Sequence, residues 1–128
     1  MGIICRRFKF AAAHLLPKYK GKCHNLHGHQ WFIDIGISGP IKNDNSPENG
    51  MIMDFIRLKR IVTKEILDIV DHKYLNEIFP SIDPTAENMS RLFFEILEVA
   101  LKNNEPNIKL EFIKVWETEN AYAEWRSE

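Results

Sequence analysis

"HGHQWFIDIGIS", residues 27–38, sets the fold. Ile33, Ile35 and Ile37 fall on one parity with Trp31 aligned to them, a repeat of two that puts four large apolar side chains on one face of a strand. Residues 3–13 repeat the pattern, with Phe8 and Phe10 alternating with Arg7 and Lys9 and Ile4 continuing their parity. Between the two strands lies "LLPKYKGKCHN", a polar, glycine-containing loop.

Downstream the period changes. "SGPIKNDNSPENG", residues 38–50, is dense in turn formers and reads as a loop between elements. From Phe55 to Val70 the apolar residues Phe55, Leu58, Val62, Ile66 and Ile69 fall three or four apart, on one helical face, with Asp54 as N-cap and Met53 able to pack on Leu58 as a staple. A second helix is predicted over Thr85–Leu101, striped by Met89, Leu92, Phe93, Ile96, Leu97 and Ala100 and opened by Thr85 or Asp83; Pro106 bars its continuation. Residues 108–117 and 121–125 read as strands joined at "TEN".

The order ββααββ predicts an α+β domain, a four-stranded antiparallel sheet with two helices on one face, filling residues 1–128 as a single domain. Two helices cover only one face and both sheet edges remain open, so self-association is expected. A formal net charge of -1 argues against a nucleic-acid or membrane surface, and any anionic ligand needs local positive charge. "MGIICRRFKF" lacks the features of a signal peptide and no apolar run approaches a bilayer span, which predicts a cytoplasmic protein. In a reducing compartment Cys5 and Cys23 are free thiols, ligands or nucleophiles rather than a disulfide, and Cys5 reads as a small half-buried strand residue.

"KCHNLHGHQW", residues 22–31, holds one cysteine and three histidines. His27 and His29 are two apart, so on a strand they project from one face, and Gly28 removes a side chain from the other. His14 ends the first strand where an antiparallel partner would bring it alongside, which makes it the best third zinc ligand. Two surface histidines and a hydrogen-bonded strand end are the plainer alternative. His24 is off the strand register and reads as a bystander. Cys23 decides the type of site: bound to the metal it closes a structural centre, and unbound it leaves the open position of a catalytic one. Both remain open from spacing alone. Near a cation, that thiol would have a lowered pKa and could act as a base.

"FAAAH", "CHNLHGH", "GMIMDF", "DHKYLN", "PTAEN" and "VWETENAYAEW", in this order and at these separations, resemble the pyruvoyl-tetrahydropterin and carboxy-tetrahydropterin synthase family over nearly the whole chain. The resemblance implies a tunnelling fold (T-fold), in which ββααββ units associate into trimeric barrels that stack as homohexamers, with active sites between subunits. It implies zinc on His14, His27 and His29, with Cys23 as catalytic base off the metal. Asp71 and His72 match the family's proton relay; taken alone, they are a helix-end polar residue and a C-terminal cap. Glu117 matches the carboxylate that anchors the pterin ring, and Thr85 a pterin contact, although capping is its local explanation.

The three-residue gap between Cys23 and "HGH" resembles the bacterial enzymes of queuosine (7-deazapurine) biosynthesis. The expected reaction is that of a carbon–oxygen and carbon–carbon lyase: dihydroneopterin triphosphate gives 6-carboxy-5,6,7,8-tetrahydropterin, acetaldehyde and triphosphate. A pyruvoyl-forming synthase and a non-enzymatic zinc-stabilised binding module are the alternatives. Lys18, Lys20 and Lys22, with Arg6, Arg7 and Lys9, are candidates for attracting the triphosphate.

Overall fold

The computed structural model describes residues 1–21 and 25–128. Strands β1 (Gly2–His14) and β2 (His27–Gly39) pair antiparallel along their full length, from Gly2 opposite Gly39 to His14 opposite His27. β4 (Lys109–Thr118) pairs with β2, and β5 (Ala121–Arg126) with β4, both antiparallel. These are the four strands read from the alternation, within two residues at each end.

The sheet has a fifth member. β3 (Lys73–Tyr74) lies parallel to Ala12 and Ala13 of β1, giving the order β3-β1-β2-β4-β5. Two residues carry no period, so the expected four-stranded sheet lacked it. The outer edge of β5 has no strand partner among the described residues.

The first helical stretch begins as α1 (Phe55–Val62), widens through a π-helical segment (Thr63–Leu67) and ends as α2 (Asp68–Val70). Asp54 caps α1 by accepting from Ile56 N–H, as predicted. The π segment explains a correction to the stripe. Leu58, Val62, Ile66 and Val70 are all buried, whereas Phe55 and Ile69 are exposed. A stripe spaced four apart drifts round an α-helix of 3.6 residues per turn, and the wider π turn brings Val70 back over the sheet in place of Ile69.

A short helix α3 (Leu75–Ile78) follows β3, and α4 (Ala86–Asn104) is capped by Thr85, whose hydroxyl accepts from Asn88 N–H. α4 buries Met89, Phe93 and Leu97 as expected, but also Phe94 and Leu101, while Ile96 and Ala100 are only half-buried. Both long helical stretches pack on one face of the sheet. There Phe10 stacks on Trp31 at 5.9 Å with Phe93 edge-on to it at 6.1 Å, and removing a ring such as Phe93 would cost about 3–5 kcal/mol.

On the opposite face, Asp34 accepts from Arg7 at 2.7 and 3.0 Å and from Trp116 Nε1 at 2.8 Å. Cys5 lies on this side by strand parity and is exposed rather than half-buried. Glu48 fastens the 40–54 loop to α1: it accepts from Lys42 Nζ at 2.6 Å, Asp54 N–H at 2.8 Å and Arg57 Nε at 2.8 Å, and Arg57 also pairs with Glu105. These donors, Arg57 first, hold the Glu48 carboxyl far below the usual carboxylate range. No helix among the described residues is long and apolar enough to cross a membrane.

Candidate metal centre and adjoining cleft

The apolar face of the sheet stops at Trp31, and the next positions toward that end carry imidazoles. His14 is the direct cross-strand partner of His27, and His29 lies two residues further along β2 on the same face. Full pairing of β1 with β2 is what brings them together. Trp31, fully buried, forms the floor, its ring centre 5.0 Å from that of His14 and 5.6 Å from that of His29.

Backbone carbonyls set the orientation of two of the rings. His14 Nδ1 lies 2.9 Å from Pro84 O, and His27 Nδ1 lies 2.6 Å from Asn25 O. A carbonyl can only accept, so both Nδ1 atoms carry their protons, and each Nε2 presents a lone pair inward when the ring is neutral. Yet the two Nε2 atoms are 2.9 Å apart, and Glu117 Oε1 lies 3.2 Å from His14 Nε2 and 3.1 Å from His29 Nε2. His29 Nε2 is buried, and Glu117 Oε1, though 3.1 Å away, is not aligned with it as a hydrogen bond. Converging lone pairs of this kind require a cation between them, a proton or a metal.

One ligand atom from each of His14, His27, His29 and Glu117 lies within 4.8 Å of every other. Zinc–nitrogen bonds of about 2.0–2.1 Å at a tetrahedral centre separate neighbouring donors by about 3.4 Å, so the three closest contacts fit an ion after shifts of a few tenths of an ångström, and the widest pair closes by up to about 1.4 Å. Imidazole nitrogen and carboxylate oxygen are donors that zinc takes. Burial pushes His29 toward its neutral, ligating form against the pull of Glu117, and His14 holds the Glu117 carboxyl below the usual carboxylate range.

A cleft of about 570 Å³ runs from His29 along Ala11–Ala13 and Gly28 to His72, Lys73 and Tyr74. His72 stands in the left-handed region at φ 61, costly for a residue with a Cβ, and is held there by its N–H donating to Ala11 O at 2.6 Å. Asp71 Oδ1 accepts from Ala11 N–H at 3.0 Å and lies 3.1 Å from His72 Nδ1. The pair therefore continues the β1 edge and presents an exposed imidazole to the same cleft as His29. Local geometry in the sequence could not place His72; its anchoring to Ala11 spans some sixty residues.

Thr85 caps α4, and the carbonyl of Pro84 beside it is the acceptor for His14, a role with no sequence signal. Cys23 and His24, the latter expected to be a bystander, lie outside the described residues, as does Lys22. Of the other basic candidates, Arg7 is engaged by Asp34 on the face away from the histidines, which Lys9 shares by parity, and Arg6 donates to Phe55 O. Lys73, which sequence reading missed, lines the cleft.

The fold and cluster define a class: an α+β protein whose helix-covered sheet ends in a three-imidazole, one-carboxylate centre of metal-binding type. Residues 3–128 match the family model described as 6-pyruvoyl tetrahydropterin synthase, and the chain belongs to this family of enzymes. It is 42% identical over 118 residues to a putative 6-carboxy-5,6,7,8-tetrahydropterin synthase of Archaeoglobus fulgidus, covering 91% of this chain and 89% of that protein. It is 33% identical to the 6-carboxy-5,6,7,8-tetrahydropterin synthase of Haemophilus influenzae, covering 96% and 97%. Among solved structures, the Caenorhabditis elegans 6-pyruvoyl tetrahydropterin synthase superposes with a TM-score of 0.80 at 28% identity, covering 100% of this chain and 98% of that one.

Proposed function

We propose that the protein is a zinc-dependent 6-carboxy-5,6,7,8-tetrahydropterin synthase acting in queuosine biosynthesis. Dihydroneopterin triphosphate and water would give the carboxy-tetrahydropterin, acetaldehyde and triphosphate. The observation that carries this reading is the inward convergence of three imidazole Nε2 atoms, two with their Nδ1 protons committed to backbone carbonyls. The two relatives named for the carboxy product and the short gap from Cys23 to "HGH" support this product.

His14, His27 and His29 would hold the zinc, which when bound supplies Lewis-acid polarisation of substrate oxygens. The cleft shared by His29 and His72 seats the substrate side chain between the histidine cluster and the relay. Cys23 takes a carbon-bound proton, and His72, oriented by Asp71, passes protons between thiol and substrate. Glu117 and Thr85 anchor the pterin by accepting and donating hydrogen bonds. Electrons move from side chain to ring, so no nicotinamide is needed. Copies of the chain associate through the open sheet edges as trimers or hexamers, completing each site, in the cytoplasm. The family model and the nematode relative, both named for the pyruvoyl product, favour a second reading, a pyruvoyl-forming synthase that eliminates triphosphate and keeps the three-carbon side chain.

Incubation with dihydroneopterin triphosphate and zinc, followed by mass spectrometry, separates the two. Acetaldehyde with carboxy-tetrahydropterin is the expected result; a product retaining all three side-chain carbons contradicts it.

A further inference from the structure

The face of the sheet away from the helices carries a buried carboxylate that the reaction described above does not use. Asp34 is 8% exposed. Burying a charge is costly unless it is paired and hydrogen-bonded, and Asp34 is both. Arg7 Nε and Nη2 donate to it at 2.7 and 3.0 Å, and Trp116 Nε1 donates at 2.8 Å. The same guanidinium lies 5.1 Å from the centre of the Trp116 ring, and the Tyr122 ring is 4.4 Å from it. Trp116 is thereby held by its N–H and by two neighbours.

Phe32 opposite Trp116 is the last rung between β2 and β4, and Trp116 opposite Tyr122 is the last before the β4–β5 register shifts to Thr118 opposite Ala121. Glu117 follows directly. It has no cross-strand partner among the described residues, and its carboxylate stands on the helix-covered face, with Oε1 3.2 Å from His14 Nε2. A bulge re-aims the side chain it carries. Without rungs of its own, Glu117 takes its direction from the last fixed residue before it, which is Trp116. A second cleft of about 490 Å³ adjoins Glu117, lined also by Ala86, Tyr122 and Ala123, so the carboxylate has room to swing.

We propose that Asp34 is a positioning residue for Glu117: by gripping the Trp116 indole on the opposite face of the sheet, it fixes where the neighbouring carboxylate stands and so sets how well a 2-amino pteridine ring is selected. This rests on the reading of Glu117 as the pterin anchor. Asp34 touches neither substrate nor reacting atoms and acts through the Trp116 N–H. A carboxylate accepts from the exocyclic amine and the adjacent ring N–H of pterin, whereas lumazine carries an oxygen in place of that amine. A well-placed Glu117 therefore prefers pterin, because the lumazine oxygen would face the carboxylate unpaired.

The test is calorimetric titration of pterin and of lumazine into the zinc-treated wild type, Trp116→Phe, Asp34→Asn, the double variant and Glu117→Ala. Trp116→Phe keeps a ring and removes the donor. Asp34→Asn keeps the shape but has a single oxygen, which cannot serve Arg7 and Trp116 as the carboxylate does. Each should cut the preference for pterin over lumazine by about tenfold, the size of one displaced hydrogen bond to a charged group. The double variant should lose no more than the larger single loss, since both changes act through one hydrogen bond. Thermal melts check folding, and Trp116→Phe alone carries the test where Asp34→Asn melts below the assay temperature. Pterin and lumazine affinities that fall in equal proportion would mark a merely structural role and overturn the proposal. Wild-type preference in both single variants, with the preference lost in Glu117→Ala, would also overturn it and leave the anchor standing. Wild-type preference in Glu117→Ala overturns both.

Discussion

Replacing Asn76 with Ala should loosen the metal centre without touching it. Asn76 sits in α3 and behaves like a strand partner: its Oδ1 accepts from Leu15 N–H and its Nδ2 donates to Leu15 O, both at 3.0 Å, across sixty-one residues. Leu15 directly follows His14, so the clamp holds the backbone from which the most buried imidazole hangs. Two neutral hydrogen bonds at about 0.5–1.5 kcal/mol each, at a half-buried position where water can partly replace them, give a loss of about 2 kcal/mol. With a urea m-value of about 2 kcal/mol/M, the unfolding midpoint of the metal-free protein should fall by about 1 M at unchanged slope, at fixed protomer concentration. Zinc affinity by chelator competition should fall by about 10–100-fold, the size of an outer-shell effect. A midpoint shift under about 0.3 M together with unaltered affinity would refute the clamp.

Other perturbations probe different parts of the chain. His14→Ala and His27→Ala should each abolish stoichiometric zinc binding, read by metal analysis after dialysis, whereas His24→Ala should leave the zinc content unchanged. Cys23→Ala should retain zinc and lose turnover; loss of metal and fold together would instead indicate a structural site. Asp34 contributes, beside Glu48, to the acid limb of stability. Burial raises its pKa, but the hydrogen bonds from Arg7 and Trp116 outweigh that and hold its carboxyl below the usual range. A depressed folded-state pKa contributes stability that is complete above the unfolded value near 4 and is lost as pH falls through the folded one. Asp34→Asn should therefore make the stability profile less steep below about pH 5, with the remainder due to Glu48, measured by urea unfolding across pH. An acid limb of wild-type steepness would assign it to other groups.

How much of this was legible beforehand differs by residue. The alternation of Ile33, Ile35 and Ile37 and the stripe through Met89 and Phe93 reflect constraints between near neighbours, so strand and helix could be read directly. The same is true of His27 and His29, whose common face follows from the strand period, and of His14, because antiparallel pairing of consecutive strands is the simplest connection. Asp71, His72 and Glu117 were reached through family resemblance, since neither a helix-end pair nor a strand-end glutamate signals chemistry alone. The two-residue β3 and the π segment escaped because a period needs several residues to show itself, and Ile69 was misplaced as a result.

By itself, the sequence determined the order of elements, the apolar layer and the pair of imidazoles two positions apart. Only tertiary structure decided that Pro84 O orients His14, that Asn76 grips Leu15, and that a bulge turns Glu117 into the histidine cluster. Those contacts join residues some sixty to a hundred positions apart, and hydrogen-bond geometry at such separations depends on register and packing rather than on local periodicity.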